Sequence, residues 1–243
     1  MLAMHSRYGS HQYYVFYRFL LRFYSRVTHP NRHGDQSMIH EYRTYTMHPG
    51  QLEAYLELAE TKVQPIRQDK YGKLVGFWYS EFGRMHQVHH IWEYASLDRR
   101  RDDRIELFNR SDWMEQFIAG AWPTMQTQDV RFMNPTQAYV YPDGNHALYE
   151  TRIYRTVVGR FKQVAAAVAQ RPLAPGATRV GLWACEAPTP NEVCEIVAYR
   201  SFEDRLADNI QSTGQRRWFR EHGAQILETH SNLLLPIGIS PVQ

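Results

Sequence analysis

The stretch Glu-Tyr-Arg-Thr-Tyr at residues 41–45 returns as Glu-Thr-Arg-Ile-Tyr at residues 150–154. Farther along, Val-Gly-Phe-Trp at 75–78 returns as Val-Gly-Leu-Trp at 180–183. The second spacing then holds for matching positions across a further strand and helix. Because chance does not keep one spacing over several elements, the chain contains two copies of one structural unit.

Each copy is predicted to run strand, helix, strand, strand, helix, strand. Alternating apolar residues predict strands, whereas apolar residues at three- and four-residue spacing predict helices. The elements predicted for the first copy are a strand over 39–47, a helix from Leu52 to Ile66, strands over 73–80 and 87–94, a helix over 97–109 capped by Ser96, a short helix over 113–121 and a strand near 126–133. The second copy repeats this order, with Ser201 as the corresponding cap.

This order is that of the ferredoxin-like split βαβ unit, an antiparallel sheet with helices on one face. The other face is bare and rich in aromatic and branched residues, so it needs a covering surface. The second copy can supply that surface. The predicted fold is α+β: tandem ferredoxin-like βαββαβ units, over 38–135 and 147–238, that form an intramolecular dimeric α/β barrel behind a basic extension at 1–37.

Charge and composition exclude several classes of protein. The chain has 243 residues and a net charge of +3, but residues 1–37 hold five arginines and one acid, which leaves a nearly neutral body. A neutral body lacks the positive field that phosphate binding needs, so nucleic acid is not a predicted partner. No apolar run reaches the length of a membrane span, and two cysteines are too few for a disulfide scaffold. The body is expected to be soluble and cytoplasmic, and no cofactor is predicted.

The extension at 1–37 permits three interpretations. If it is helical, Arg18, Arg22 and Arg26 follow one edge and aromatic residues occupy the other side. Such a helix resembles an organelle presequence, which would make the protein mitochondrial, or a membrane-surface helix. Alternatively, translation starts at Met38, directly before the first predicted strand. The extension is therefore expected to be disordered or helical, and the sequence leaves these readings open.

The first strand of each copy carries an acid, an arginine and a tyrosine at alternate positions: Glu41, Arg43 and Tyr45, then Glu150, Arg152 and Tyr154. Alternate residues share a face, so each triplet can act as one patch. Inside a barrel an acid and an arginine are costly unless they pair or meet a polar ligand. The triplets are therefore candidate ligand-pocket residues, with a purely structural ion pair as the alternative.

Three closely spaced histidines, His86, His89 and His90, suggest a metal site, but strand geometry argues against one. His86 and His90 would lie about 13 Å apart on one face, while His89 would point to the other face. No metal site is therefore predicted. His90 and Trp92 share a face and are predicted to form a pocket wall, with His90 able to exchange a proton; the alternative is a hydrogen-bonded histidine beside a packing tryptophan.

The two cysteines, Cys185 and Cys194, lie at equal distances from a turn centred near Thr189 and are predicted to face each other on paired strands. A reduced pair is expected, since nothing nearby marks either thiol as a nucleophile.

Together these motifs resemble a known family. The opening stretch 39–50, Gly-Phe-Trp at 76–78, the His-His-Ile-Trp-Glu-Tyr strand within 87–97, the arginine cluster after it and Trp113 resemble the NIPSNAP domain in order and spacing. The resemblance implies a place in the dimeric α/β barrel superfamily. It also implies mitochondrial, protein-interaction or vesicle-related roles known in animals, whereas the wider superfamily includes monooxygenases, isomerases and haem-handling enzymes.

Two functional hypotheses follow. The first is a non-catalytic binding or adaptor protein, whose partner is a protein or a second copy of the chain. The second is a cofactor-independent small-molecule enzyme or carrier, with Glu41, Arg43, Tyr45 and His90 lining a pocket between the two sheets. The first is preferred, because the sequence provides no complete catalytic set.

Overall fold

The computed structural model describes residues 38–142, 146–208 and 213–242. The first half contains β1 (Ile39–Met47), α1 (Leu52–Leu58), a π-helical turn (Ala59–Val63), α2 (Gln64–Arg67), a 3-10 turn (Gln68–Tyr71), β2 (Lys73–Phe82), β3 (Gln87–Tyr94), α3 (Leu97–Phe108), α4 (Ser111–Trp113), a second π-helical turn (Met114–Ile118), α5 (Ala119–Ala121), a 3-10 turn (Trp122–Thr124) and β4 (Met125–Pro135). The second half contains β5 (Leu148–Thr156), α6 (Phe161–Gln170), β6 (Ala177–Ala187), β7 (Glu192–Tyr199), α7 (Phe202–Ala207), α8 (Thr213–His222), a 3-10 turn (Gly223–Gln225) and β8 (Ile226–Pro236).

The strands close one barrel in the order β1-β3-β2-β8-β5-β7-β6-β4. Within each half the order is that of the split βαβ unit. The halves are joined at two seams, where β2 pairs with β8 and β4 pairs with β6. The predicted intramolecular dimeric α/β barrel is thereby confirmed.

The barrel interior is filled by side chains from both halves. Buried residues of the two sheets form one apolar cluster there, which includes Tyr42, Val75, Trp78, Ile91, Tyr149, Val180, Trp183 and Ile196. A second set of clusters lies between the sheets and the helices. The bare face of each copy is thus covered by the other copy, as the fold prediction required.

A glycine two residues before a tryptophan shapes each half of the interior. A Cβ atom added at Gly76 would lie 2.0 Å from Cη2 of Trp78, and one at Gly181 would lie 2.2 Å from Cη2 of Trp183. The indole ring therefore covers the glycine on the same strand. The strand register also shifts at both glycines, so each bulge places a large ring in the barrel centre.

Both predicted helix caps are present. The hydroxyl of Ser96 accepts a hydrogen bond from the Arg99 amide at the start of α3, and that of Ser201 accepts one from the Asp204 amide at the start of α7. Each cap satisfies one amide that the first helical turn leaves unpaired.

The helical layers of the two halves differ. In the first half, the π-helical turns Ala59–Val63 and Met114–Ile118 belong to one buried cluster beneath the helices. In the second half, the corresponding α6 is a regular helix of 10 residues. The repeat spacing also shortens between the first and second strands of the copies, so the first copy is longer in this region. Because π-helical turns are rare and concentrate at functional sites, their presence favours the first half as the location of a functional site.

The two cysteines do not face each other directly. Trp183 lies opposite Cys194 in the β6–β7 register, and Cys185 lies diagonally from Cys194 on the same inner face. The predicted pairing was wrong by two residues of register, because the turn is centred between Pro188 and Thr189. Both thiols are free and buried.

The predicted extension at 1–37 lies outside the described residues. Among the residues that are described, no helix is both long and apolar enough to cross a membrane.

Candidate functional site

All eight predicted pocket residues are buried beneath the helices, on the outer face of the barrel wall. They are Glu41, Arg43, Tyr45, His90, Trp92, Glu150, Arg152 and Tyr154. The prediction that the pocket lies between the two sheets was wrong. Both faces of β1 are buried, so polarity could not indicate which set of alternate residues faces the interior. The inner set includes Tyr42, which packs with residues of the other half.

The first triplet forms a continuous chain of charge-assisted hydrogen bonds. Arg43 donates to the Glu41 carboxylate and to the Tyr45 hydroxyl, and Arg100 of α3 donates to the other oxygen of Glu41. Burial would raise the pKa of Glu41, but the charges of Arg43, Arg104 and Arg100 outweigh it and hold this pKa well below its ordinary value. Glu41 is therefore ionised, and each of its carboxylate oxygens accepts a hydrogen bond from an arginine.

A further arginine, Arg67 at the end of α2, lies in the same layer without a carboxylate. Its guanidinium donates to the Tyr71 carbonyl at 2.8 and 3.0 Å and to the Tyr94 hydroxyl at 2.5 Å. It stacks 3.3 Å from the ring centre of Trp92. Among the described residues no acidic side chain forms an ion pair with Arg67, and burial lowers its pKa.

His90 contributes an unused hydrogen-bond donor to this layer. Trp92 Nε1 donates to His90 Nδ1 at 2.6 Å, so the neutral ring carries its proton on Nε2. His90 Nε2 is buried and has no partner among the described residues. Burial and the charge of Arg43 hold the pKa of His90 well below its ordinary value, so the ring is neutral at pH 7. We call Glu41, Arg43, Tyr45, Arg67, His90, Trp92, Tyr94 and Arg100 the first polar cluster.

The corresponding second polar cluster contains four arginines and three carboxylates, whereas the first has three arginines and one carboxylate. Its members are Glu150, Arg152, Tyr154, Arg171, Arg179, Glu195, Tyr199, Arg205 and Asp208. Arg152 donates to Glu150 at 2.6 Å, to the Tyr199 hydroxyl at 2.6 Å and to Asp208 at 3.1 Å. Arg205 donates to Glu150 at 3.1 Å, as Arg100 does to Glu41 in the first half.

Glu195 is the centre of the second polar cluster. Its two carboxylate oxygens accept from Arg171 Nη2 at 3.0 and 2.8 Å, and one of them accepts from Arg179 Nε at 2.7 Å. The Tyr154 hydroxyl donates to it at 3.2 Å. Two arginines and a tyrosine thus hold a fully buried carboxylate. Arg152 Nη1 lies 3.8 Å from Glu195 Oε2.

The three histidines of the β2–β3 region lie in three different places. His86 belongs to the turn and has a positive φ of 57°. His89 faces the barrel interior, where it contacts the Tyr42 hydroxyl at 2.8 Å and the Ser80 hydroxyl at 2.9 Å, and His90 faces the helices. His89 and His90 therefore lie on opposite faces of β3, as alternation along a strand predicts.

His89 should make the fold sensitive to acid. Burial and the charge of Arg131 lower the pKa of His89 to about 3 from an ordinary 6.5. Below pH 6.5 the unfolded chain binds a proton at His89 that the folded chain does not bind. The contribution of His89 to the free energy of unfolding is therefore greatest above pH 6.5 and is lost as the pH falls toward 3. From pH 7 to pH 5, His89 should reduce the free energy of unfolding by about 2 kcal/mol.

Urea unfolding at several pH values checks this expectation. His89→Gln should remove that part of the pH dependence, whereas the exposed control His48→Gln should keep it. An unchanged pH dependence in the His89 variant would contradict the assignment.

Several members of the two clusters were not predicted from the sequence. Arg67 and Arg171 lie at helix ends, where the residue spacing of the two copies changes, so no fixed offset relates them. Arg100 and Arg205 could have been found, because they keep the repeat spacing of the preceding serine caps. Their role depends on where α3 and α7 pack, which local pattern does not specify.

The architecture and the buried clusters define the class of protein. A closed barrel of two split βαβ sheets is the dimeric α/β-barrel fold. A putative monooxygenase from Fusobacterium nucleatum shares it with a TM-score of 0.64 and 8% identity, over 86% of this chain and 100% of that chain. A putative monooxygenase from Lactobacillus acidophilus shares it with a TM-score of 0.59 and 13% identity, over 85% and 99% of the two chains. At these identities the likeness concerns the fold alone.

Within this class, the chain belongs to the NIPSNAP family. The family model matches residues 40–138 and 149–241, one segment in each half. Human protein NipSnap homolog 3B is 29% identical over 123 residues, which cover 49% of this chain and 49% of that protein. The chain therefore spans about half the length of this relative.

Proposed function

We propose that this chain is a non-catalytic binding protein for a small organic molecule that carries an oxyanion, held in the first polar cluster beneath the helices. One observation carries the proposal: among the described residues His90 Nε2–H is a buried donor without an acceptor, and Arg67 in the same layer has no carboxylate within ion-pair distance. His90 and Arg67 are each 4% exposed.

Unsatisfied buried donors are uncommon because each costs about 1–3 kcal/mol. In the second polar cluster the position of His90 is taken by Glu195, whose carboxylate pairs with Arg171 and Arg179, although Arg171 Nε and Nη1 have no hydrogen-bond partner among the described residues. An external oxygen acceptor would satisfy both His90 and Arg67. The aromatic residues Tyr45, Phe77 and Trp92 around them would provide an apolar wall for the rest of such a molecule.

Binding is favoured over catalysis by the protonation states of the cluster. Glu41 is ionised and paired with two arginines, and His90 is neutral with Nδ1 occupied by Trp92. Both groups are held away from the pKa that proton exchange near neutral pH requires. The predicted adaptor role stays a prediction.

Entry would require movement of the covering helices. The π-helical turns Ala59–Val63 and Met114–Ile118 lie in this covering layer of the first half. Such turns interrupt regular helical hydrogen bonding and are often found at functional sites. They support a covering layer that can open over His90 and Arg67.

Thermal unfolding with small probes tests the proposal. Benzoate and phosphate serve as oxyanions, and benzamide serves as a neutral analogue. We expect an oxyanion to raise the Tm of the wild-type chain, and Arg67→Met to abolish the rise. Arg67→Met removes the buried charge but also leaves the Tyr71 carbonyl and the Tyr94 hydroxyl without this donor, so its Tm without a probe is measured as the baseline.

The control is Arg217→Met, which removes an exposed arginine of α8 and should leave the rise unchanged. The proposal fails if neither oxyanion raises the Tm, or if the rise persists in the Arg67 variant.

A further inference from the structure

We infer that the acidic group of the ligand is a single carboxylate, which pairs with Arg67 in the first half as the Glu195 carboxylate pairs with Arg171 in the second. The inference rests on the proposed function and specifies its ligand. The second half of the chain would then contain, as a built-in side chain, the group that the first half takes from solution.

The strand register establishes that the two positions correspond. Arg43 of β1 lies directly opposite His90 of β3, and Arg152 of β5 lies directly opposite Glu195 of β7. His90 thus occupies the place of Glu195. Directly opposite residues of an antiparallel pair are close neighbours, so His90 lies beside Arg43 as Glu195 lies beside Arg152.

Most partners of Glu195 have counterparts in the first half. Tyr154, which donates to Glu195, corresponds to Tyr45, since both are the last member of their triplet. Arg171 follows α6, and Arg67 ends α2, the last segment of the corresponding helical run. Their guanidinium groups enter the corresponding layers beneath the helices. The first half thus keeps counterparts of Arg152, Arg171 and Tyr154, whereas it has Leu74 at the position of Arg179 and His90 at the position of the carboxylate.

The electrostatic consequences differ accordingly. Burial alone would lower the pKa of Arg171, but the charge of Glu195 outweighs it and this pKa ends above its ordinary value. Burial lowers the pKa of Arg67, which has Trp92 in place of that carboxylate. A bound carboxylate would give Arg67 the partner that Arg171 already has.

The charge balance favours a monoanion with planar oxygens. The first polar cluster has three arginines and one carboxylate, since Arg43 and Arg100 share Glu41 and Arg67 has no ion-pair partner among the described residues. One bound carboxylate would reduce the excess from two positive charges to one, which is the excess that the second polar cluster has with four arginines and three carboxylates. The planar guanidinium also matches a carboxylate, as the contact of Arg171 Nη2 with both oxygens of Glu195 illustrates.

Binding experiments on His90 variants test this inference. We expect benzoate to raise the Tm of the wild-type chain, with phosphate and benzamide having little effect. His90→Glu should supply the carboxylate internally, so that benzoate binding weakens by about tenfold or more. The control His90→Gln has the same size without the charge and should keep most of the benzoate response.

The outcomes separate this inference from the proposed function. If phosphate raises the Tm and benzoate does not, oxyanion binding stands and the carboxylate assignment is overturned. If His90→Glu binds benzoate as well as His90→Gln does, the correspondence with Glu195 is overturned. If none of the probes has an effect, the proposed function itself fails.

An independent measurement uses the second half, in case the His90 variants do not fold. Glu195→Ala removes the built-in carboxylate and leaves space beside Arg171 and Arg179. Acetate should then raise the Tm of Glu195→Ala more than it raises the Tm of the wild-type chain. Phosphate at the same concentration should not show this difference between the two chains. An equal response of the two chains to acetate would overturn the inference.

Discussion

Replacing Glu195 with alanine should reduce the free energy of unfolding by about 3–5 kcal/mol, the usual cost of removing one partner of a buried ion pair. Glu195 is fully buried and accepts hydrogen bonds from Arg171 and Arg179. Without it, Arg171, Arg179 and Arg152 would share the two remaining carboxylates of the second polar cluster, Glu150 and Asp208. The desolvated charges, rather than the lost contacts, account for most of the expected loss.

Urea unfolding at neutral pH measures this effect. The matched control is Glu221→Ala, which breaks an exposed ion pair with Arg217 on α8 and should cost about 0.5 kcal/mol or less. Similar losses in the two variants would mean that the second polar cluster does not behave as a closed charge network.

Gly76→Ala should reduce the free energy of unfolding by about 3 kcal/mol, at the upper end of overpacking effects. The added Cβ would lie 2.0 Å from the Trp78 ring, which is fully buried and cannot swing away as a flexible chain end could. The indole would have to leave the centre of the barrel, where it packs against residues of the other half. We expect Gly181→Ala to have a similar effect through Trp183.

A glycine with space around it provides the control. A Cβ added at Gly223 would meet nothing within 4 Å, and Gly223 has no left-handed backbone conformation. Gly223→Ala should change the free energy of unfolding by less than about 0.5 kcal/mol. If Gly76→Ala is tolerated as well as Gly223→Ala, the role of this glycine in placing Trp78 is wrong.

Local sequence patterns determined the elements and their order. The bounds of β1 and β3 agree with the alternation of apolar residues, and Ser96 caps α3 as predicted. These features depend on residues close together in the chain, where periodicity and capping act directly. The internal repeat then determined the closed barrel, because two identical bare faces in one chain can cover each other.

Only the tertiary structure decided which face of β1 carries the site and which partners its residues have. Both faces of β1 are buried, so hydrophobic alternation could show that Glu41 and Arg43 lie together but not whether they meet the barrel interior or the helices. Arg67 joins the site from a helix end, and its missing carboxylate becomes visible only beside Glu195 of the second half. Contacts of this kind depend on how distant segments pack, which short-range patterns do not encode.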